Sequence, residues 1–209
     1  MKPASEVVYI VDDDEGVRDA LSELLTSINI KNKTFGSAEE YLAFDRSDAC
    51  ACLILDVHLP ELSGLELQQQ LGGGPSPPIV FISGRGDVPS TVRAMKAGAI
   101  EFFTKPIEPG ALIPAIRAAF AEDLRNRKRR AELADLQRRF SVLTPREKVV
   151  LPLVVSGMLN KQAAHLLGIT EVTLQVHRGQ IMRKMEAGSF AELVRMAEKL
   201  GIGPPDEMV

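Results

Sequence analysis

Reactive side chains follow the apolar runs in the first half of the sequence. Three aspartates, 12–14, come directly after the run VVYIV, and Asp56 ends the run ACLILD. Ser83 ends PIVFIS, and Lys105 follows IEFFT. Crowded carboxylates repel one another, by roughly 4 kcal/mol for a pair at about 4 Å and an effective dielectric of about 20, and a divalent cation removes that cost. Because the ligands are oxygens with room for water, they indicate Mg²⁺.

One carboxylate beside a hard cation, a hydroxyl and an amine is what phosphoryl transfer to a protein requires. Asp56 is the predicted nucleophile, and its product would be an acyl phosphate. Lys105 and Mg²⁺ would neutralise the phosphoryl oxygens, and Ser83 would donate a hydrogen bond to one of them. A single aspartate after a strand usually caps a helix, so the prediction depends on all of these residues meeting at one rim.

The elements that must position these residues alternate along the first 120 residues. Short runs that are apolar nearly throughout predict strands covered on both faces. Strands alternating with amphipathic segments predict a parallel sheet with helices on both sides, and such sheets bind ligands beyond the carboxyl ends of their strands. The predicted strands are 7–11, 30–35, 51–56, 78–83 and 100–104, and the predicted helices are 17–28, 38–44, 65–71 and 88–97.

The second part of the chain has only helical patterns. A charged stretch, 116–140, predicts the last helix of the first domain continuing into a helical linker. Thr144 and Pro145 are a typical helix start. A short helix, the turn Gly168-Ile169 and a longer helix then predict a helix-turn-helix whose second helix would enter the major groove of DNA. The predicted helices are 145–156, 160–167, 171–185 and 189–200.

The net charge of −3 hides two parts of opposite sign. Residues 1–120 have 10 Lys and Arg against 17 Asp and Glu, a balance of −7, and residues 121–209 have 15 against 11, a balance of +4. A basic second part suggests a polyanionic partner. No apolar run approaches the roughly 20 residues of a membrane helix, and the acidic N-terminal segment does not resemble an export signal. Two closely spaced cysteines, Cys50 and Cys52, fit buried thiols in a reducing compartment, so we expect a cytoplasmic protein.

Three segments, IVDDDEGVRDAL, LILDVHLPELSGLEL and FISGRGDVPSTVRAMKAGAIEFFTKP, resemble the receiver domain of two-component response regulators, above all the FixJ/NarL group. The resemblance covers about residues 6–120. It implies a flavodoxin-like α/β fold with a five-stranded parallel sheet in the order 2-1-3-4-5. It also implies that Asp56 accepts phosphate from a sensor histidine kinase, and that the protein is not an enzyme beyond a slow loss of its own phosphate.

The same resemblance assigns roles around Asp56. The implied Mg²⁺ ligands are Asp13, Asp56 itself and the backbone carbonyl of His58, with Asp12 acting through water. Asp14 matches a position that is often acidic in the group and is expected to be a bystander. The implied phosphate-binding and switch residues are Ser83, Lys105 and Phe102, with Lys105-Pro106 as a cis peptide.

The segment LTPREKVVLPLVVSGMLNKQAAHLLGITEVTLQVHRGQIMRKM resembles the LuxR-type helix-turn-helix, and the likeness covers residues 143–200. The spacing places Leu174, Ile181 and Met185 of the second helix toward the core. From the family pattern we expect Gln175 and Val176 nearest the base edges, where Gln can read adenine and Val can contact a thymine methyl. Lys161, Thr173 and Lys184 are expected on phosphates, and Arg178 is a further candidate for the DNA-facing side.

Two residues with low helix propensity lie inside predicted helices of this second part. Pro152 lies inside a predicted helix, where proline costs roughly 3 kcal/mol or forces a kink. Gly179 lies in the middle of the second helix of the motif, where glycine is about 1 kcal/mol less favourable than alanine. A monomer with a charge balance of only +4 should bind DNA weakly, and a dimer, which doubles the phosphate contacts, should bind much better.

We therefore predict three parts: a receiver domain (1–121), a helical linker (122–141) and a small all-α LuxR-type helix-turn-helix domain (142–209). The predicted function is phosphorylation-dependent regulation of transcription through double-stranded DNA, as a homodimer. Two alternatives stay open at this point. One is an aspartyl-phosphate phosphatase or transferase, although such phosphatases have an Asp-x-Asp pair where this chain has Asp56-Val57-His58. The other is a regulator whose output is protein binding, with Pro152 and Gly179 marking a degraded DNA reader.

Overall fold

The computed structural model of the 209-residue chain describes residues 6–203 except 47, 73, 85 and 87. The chain divides into two compact units, Met1–Arg127 and Lys128–Val209. Within the described part, no helix is both long enough and apolar enough to cross a membrane.

The first unit contains a five-stranded parallel sheet in the order β2-β1-β3-β4-β5, which confirms the predicted fold class and strand order. Helices connect the strands, as parallel pairing requires. The strands are β1 (Glu6–Val11), β2 (Lys31–Phe35), β3 (Cys50–Asp56), β4 (Ile79–Ser83) and β5 (Glu101–Thr104). The helices are α1 (Glu15–Ser27), α2 (Ala38–Ala43), α3 (Gly64–Leu71), α4 (Val88–Lys96) and α5 (Pro109–Ser141).

The central strand β3 is buried along its whole length, which fixes the position of its last residue, Asp56. Because side chains alternate across a strand, Leu53 and Leu55 pack into the core on one face of the sheet. Cys52 and Ile54 pack into the core on the other face. Both cysteines are buried free thiols, as predicted.

Helix α5 begins at Pro109, seven residues before the predicted start of the helical stretch. Proline is favoured at the first position of a helix, and Pro114 is accommodated inside this one. Buried Asp123 joins α5 to the start of β3, because its carboxylate accepts from Ala51 N at 2.9 Å and Arg127 Nε at 2.7 Å. The described hydrogen bonds thus tie the helix to the strand that ends in Asp56.

The second unit is helical and contains α6 (Pro145–Val155), α7 (Asn160–Leu166), α8 (Glu171–Met185) and α9 (Phe190–Lys199). Helices α7 and α8 form the predicted helix-turn-helix, with Gly168 at φ +63° in the turn and Thr170 capping α8 through its side chain. Helix α6 continues through Pro152, so the proline does not end it. Buried residues from these helices and from the end of α5 share one core.

Candidate functional site

Three carboxylates meet at the carboxyl-terminal rim of the sheet. Asp12 follows β1 and is fully buried, Asp56 ends β3 and is buried, and Asp13 is exposed at the mouth of the cluster. Each offers an oxygen within 4.8 Å of the oxygens of the other two. The structure therefore brings together the three side chains that the sequence assigned to a cation site.

Lys105 lies between two of these carboxylates. Its Nζ is 2.7 Å from Asp12 Oδ2 and 3.3 Å from Asp56 Oδ2. A backbone hydrogen bond holds Lys105 beside the end of β4, because Lys105 N donates to Ser83 O at 2.8 Å. The Lys105-Pro106 peptide is cis, as expected. The ammonium reaches the acceptor carboxylate from the side of β5.

Burial raises one pKa value in this cluster and neighbouring charges raise another. Burial raises the pKa of Asp12, against the hydrogen bonds that it accepts from Lys105 and from Asp14 N. Burial alone would lower the pKa of Lys105, but the hydrogen bond to Asp12 and the charges of Asp12 and Asp56 outweigh it and raise the pKa. Lys105 thus stays a cation where a negatively charged group would bind.

Ser83 ends β4 and is fully buried beside the acceptor strand. Its Oγ lies 3.2 Å from His58 Nδ1, and either atom can be the donor, depending on the imidazole tautomer. The backbone N–H of His58 also donates a hydrogen bond to Asp56 Oδ1, at a distance of 3.4 Å. Sequence reasoning placed His58 at the site through its backbone carbonyl and did not predict this contact of its side chain.

Phe102 lies on β5 and is half-buried. It pairs in register with Phe81 of β4, and the two rings stack with centroids 6.2 Å apart and an interplanar angle of 30°. Since Phe102 has no hydroxyl, any rearrangement of this side chain changes packing alone.

Three further residues support the rim, and sequence reasoning missed two of them. Asp14 caps α1 by accepting from Gly16 N at 2.8 Å, a structural role for the residue that was expected to be a bystander. Arg18 holds the loop after β1 by donating to the backbone oxygens of Asp12 and Asp13. Gly64 packs so closely that a Cβ there would lie 2.1 Å from the carbonyl oxygen of Asp56. No sequence signal marks Arg18, but a glycine at the start of α3, with no turn that requires one, is a hint of close packing.

In the second unit, α8 presents one buried and one exposed side. Leu174, Ile181 and Met185 are fully buried, as their spacing predicted. Of the residues expected near DNA, Thr173, Gln175 and Val176 are exposed on α8, and Lys161 is exposed on the first turn of α7. The hydroxyls of Thr173 and Thr170 are 2.8 Å apart.

Two of the expected DNA contacts have partners inside the domain. Lys184 Nζ lies 2.7 Å from Oε2 of Glu147, a buried carboxylate on α6. Arg178 donates to Asn160 Oδ1, and its guanidinium lies 5.1 Å from the centre of the Phe190 ring. Helical spacing did not predict these pairs, because the partners are on other helices.

Comparison with known proteins agrees with both halves of the structure. Residues 8–117 match the family model of the response regulator receiver domain, and residues 141–197 match that of the luxR family of bacterial regulatory proteins. The chain therefore belongs to the response regulators that combine a receiver domain with a LuxR-type DNA-binding domain. This membership favours transcription regulation over the phosphatase alternative.

Particular relatives match almost the whole chain. Nodulation protein W of Bradyrhizobium diazoefficiens is 44% identical over 197 residues, which cover 94% of this chain and 87% of that protein. Response regulator protein TodT of Pseudomonas putida is 46% identical over 201 residues, covering 96% and 88%. Among solved structures, response regulator StyR is 46% identical with a TM-score of 0.76, covering 94% of this chain and all of that one. Full-length FixJ from B. japonicum is 36% identical with a TM-score of 0.54, covering 93% and 97%.

Proposed function

We propose that Asp56 accepts a phosphoryl group from a sensor histidine kinase and that this modification controls binding of double-stranded DNA through α8. The observation that carries the proposal is the position of the Asp56 carboxylate, 3.3 Å from Lys105 Nζ and inside a cluster of three carboxylates. Because DNA is the proposed target, we place the protein in the cytoplasm.

The donor set of the rim fits Mg²⁺. All the candidate ligands are oxygens: the clustered carboxylates of Asp12, Asp13 and Asp56, and the backbone carbonyl of His58, which the resemblance to receiver domains adds. Lys105 balances only one of the three negative charges, so a hard divalent cation is favoured there. When bound by these residues, Mg²⁺ supplies positive charge to the transferred group.

The transfer step exchanges one bond to phosphorus for another. The Asp56 carboxylate attacks phosphorus, the bond to the histidine nitrogen of the kinase breaks, and the imidazole leaves with the electron pair. Lys105 stabilises charge on a phosphoryl oxygen, and Ser83 donates its hydroxyl to another. When Ser83 is the donor to His58, it exchanges this contact for one with the phosphoryl group, and Phe102 then repacks against the altered neighbourhood.

The surface that would transmit this change is α4 and β5, and we propose that it pairs two phosphorylated molecules. Three apolar side chains of α4 are exposed at helical spacing, namely Val88, Val92 and Met95. Since i, i+4 and i+7 lie on one face of a helix, they form an apolar stripe that a second copy could cover.

On the DNA we assign base edges to Gln175 and Val176, and phosphates to Lys161 and Thr173. Arg178 and Lys184, whose cationic groups contact Asn160 and Glu147, are assigned to positioning α8 within the domain.

The test compares the wild-type protein with Asp56→Asn, each with and without acetyl phosphate and Mg²⁺. Phosphate-affinity gels report modification, and selection from a random DNA pool reports binding. We expect a shifted band and enrichment of one DNA motif for the treated wild-type protein, and neither response to acetyl phosphate for the variant. Wild-type binding that ignores the phosphodonor would contradict the switch, and selection without an enriched motif would favour protein binding as the output.

A further inference from the structure

The exposed side of α8 carries two valines and a glycine in one line. Val172 is 71% exposed and Val176 is 57% exposed, and Gly179 follows three residues later. Because residues three and four apart are neighbours on a helix surface, these residues form a single face, here called the valine–glycine face. Large apolar side chains exposed this fully, on a helix whose other side is packed, indicate a surface that contacts something else.

No contact within the described part of the helical unit requires a glycine at position 179. Its backbone is helical, unlike that of Gly157 and Gly168, which have positive φ. A Cβ added at Gly179 would meet no atom within 4 Å among the described residues. Since glycine destabilises a helix interior by about 1 kcal/mol relative to alanine, the reason for it lies outside the domain.

Double-stranded DNA is the occupant that this face fits. The face belongs to the second helix of a LuxR-type helix-turn-helix, which such domains place in the major groove. Arg183 is exposed four residues beyond Gly179, so the face continues into a cation that suits a phosphate-lined groove. A purely apolar protein partner would not use that charge.

Because the valine side chains are apolar, they favour contact with the base that presents an apolar group in the major groove. The C5-methyl of thymine is the apolar group that a base pair presents in the major groove. The Cβ atoms of residues four apart on a helix are about 5–6 Å apart, and neighbouring bases on one strand rise by about 3.4 Å. The two methyl groups beyond each valine Cβ can lean along the helix and shorten the difference between these spacings, so two valines in this arrangement can contact the methyl groups of two adjacent thymines.

We propose that Val172 and Val176 read two neighbouring thymine methyls, and that Gly179 lets the backbone of α8 approach the DNA closely at the next position. The proposal depends on the proposed DNA binding by α8 and adds the chemistry of its recognition.

The first test removes single methyl groups from the DNA. A site selected by the phosphodonor-treated full-length protein is resynthesised with each thymine replaced by deoxyuridine, which pairs identically but lacks the methyl. We expect two adjacent replacements to weaken binding about fourfold each, since that is the effect of removing one buried methyl-sized group. Each of Val172→Ala and Val176→Ala should abolish the effect of one replacement. Val149→Ala, which alters a 51%-exposed valine on α6, should leave both effects unchanged.

The second test separates helix stability from DNA contact at Gly179. Gly179→Ala should raise the thermal unfolding temperature of the helical unit, because alanine favours the helix, and should weaken specific DNA binding roughly tenfold, as overpacking of a close contact does. Gly110→Ala is the control, because its Cβ also meets open space but lies in the first turn of α5. A Gly179→Ala variant that binds DNA as well as the wild type would overturn the role given to the glycine.

The outcomes distinguish this inference from the proposed function. A selected motif without adjacent thymines, or one insensitive to deoxyuridine, would overturn the reading of methyl groups while leaving DNA binding intact. Selection of no motif at all would overturn both. If Val172→Ala and Val176→Ala instead weaken self-association, the valine–glycine face contacts protein and the inference is wrong.

Discussion

The imidazole of His58 and the hydroxyl of Ser83 contact each other beside the acceptor carboxylate, with Nδ1 and Oγ 3.2 Å apart. The hydroxyl that the phosphoryl group needs is thus engaged by a neighbour two residues beyond Asp56. A hydrogen bond of this kind contributes about 0.5–1.5 kcal/mol net, and when Ser83 is its donor, phosphoryl binding replaces it. His58 therefore opposes the rearrangement of Ser83 that we assign to activation.

Replacing His58 by alanine should increase the affinity of the rim for a phosphoryl mimic. Alanine keeps the backbone carbonyl proposed for Mg²⁺ and removes only the ring that contacts Ser83. We expect His58→Ala to bind beryllofluoride, a phosphoryl mimic, roughly 2–10-fold more tightly in the presence of Mg²⁺, from the size of one hydrogen bond. Titration followed by NMR measures the change.

The matched control is the same substitution in a Ser83→Ala background. There the contact is already absent, so His58→Ala should have no effect on beryllofluoride affinity. An equal gain in both backgrounds would show that His58 acts by another route than Ser83.

Gly64 is a second place where a small change should reach Asp56. Gly64→Ala forces a Cβ against the Asp56 carbonyl, at 2.1 Å in the unrelaxed backbone. We expect a loss of about 1–3 kcal/mol in the free energy of unfolding, typical of overpacking, and slower phosphorylation by acetyl phosphate. Both tyrosines, Tyr9 and Tyr41, are buried in this unit and the chain has no tryptophan, so tyrosine fluorescence follows its denaturation.

Gly110→Ala is the control for Gly64→Ala, because it changes the same residue type in open space. It should not slow phosphorylation. If Gly64→Ala is phosphorylated as fast as Gly110→Ala, the close contact of Gly64 with Asp56 does not contribute to phosphorylation.

These two sites also show where prediction from the sequence ends. Apolar runs and their alternation predicted a parallel sheet and the meeting of Asp12, Asp56, Ser83 and Lys105, because the direction of parallel strands sends their ends to one rim. The order of the strands was predicted from the resemblance to receiver domains. Which rotamer His58 adopts depends on the space left by other elements, and periodicity carries no information about that. The close approach at Gly64 depends on how α3 packs after β3, which again is a tertiary property.

In the DNA-binding half, too, the sequence pattern predicted which residues are buried but not which residues on different helices contact each other. Helical spacing correctly predicted that Leu174, Ile181 and Met185 face the core. It could not predict that Lys184 pairs with Glu147, 37 residues earlier, since a period gives the side of a helix and not the partner on another helix. The start of α5 at Pro109 was missed because prolines 109 and 114 suggest a break, although the first turn of a helix tolerates proline.

The Glu147–Lys184 pair predicts a pH dependence for the helical unit. Burial would raise the pKa of Glu147, but the hydrogen bonds from Lys184 and Thr144 outweigh it and hold the pKa below its ordinary value of 4.5. Because the folded pKa is depressed, the stabilisation is complete above about pH 4.5 and is lost as the pH falls through the folded value. Thermal unfolding followed by far-UV circular dichroism from pH 7 to pH 3 measures the loss.

Glu147→Gln should flatten this dependence and destabilise the unit at pH 7. The neutral amide cannot form an ion pair with the ammonium, and Lys184 is then left without its carboxylate partner. A wild-type protein and a Glu147→Gln variant that lose stability in parallel below pH 4.5 would assign the transition to other carboxyl groups.

The apolar stripe on α4 predicts how dimerisation can be blocked. Val92→Glu places a charge in the stripe, and burying an unpaired charge is strongly unfavourable. We expect this variant to be phosphorylated normally and to stay monomeric with beryllofluoride and Mg²⁺, as measured by analytical ultracentrifugation. Leu42→Glu on α2 is the control, since Leu42 is 44% exposed and Val92 is 43% exposed. Dimers of Val92→Glu as stable as those of the wild type would move the interface elsewhere.

The position of Lys105 between Asp12 and Asp56 has a consequence for how the signal leaves the site. Three carboxylates and one ammonium carry −2 at neutral pH, so one divalent cation brings the cluster to zero. A phosphoryl group of about −2 on Asp56, in place of the carboxylate charge, then leaves about −1. The resting and phosphorylated rims thus differ by a single unit of charge, because the cation and Lys105 balance the rest of the phosphoryl charge where it is bound. The two states therefore differ more in the packing at the strand ends, around Ser83 and Phe102, than in net charge.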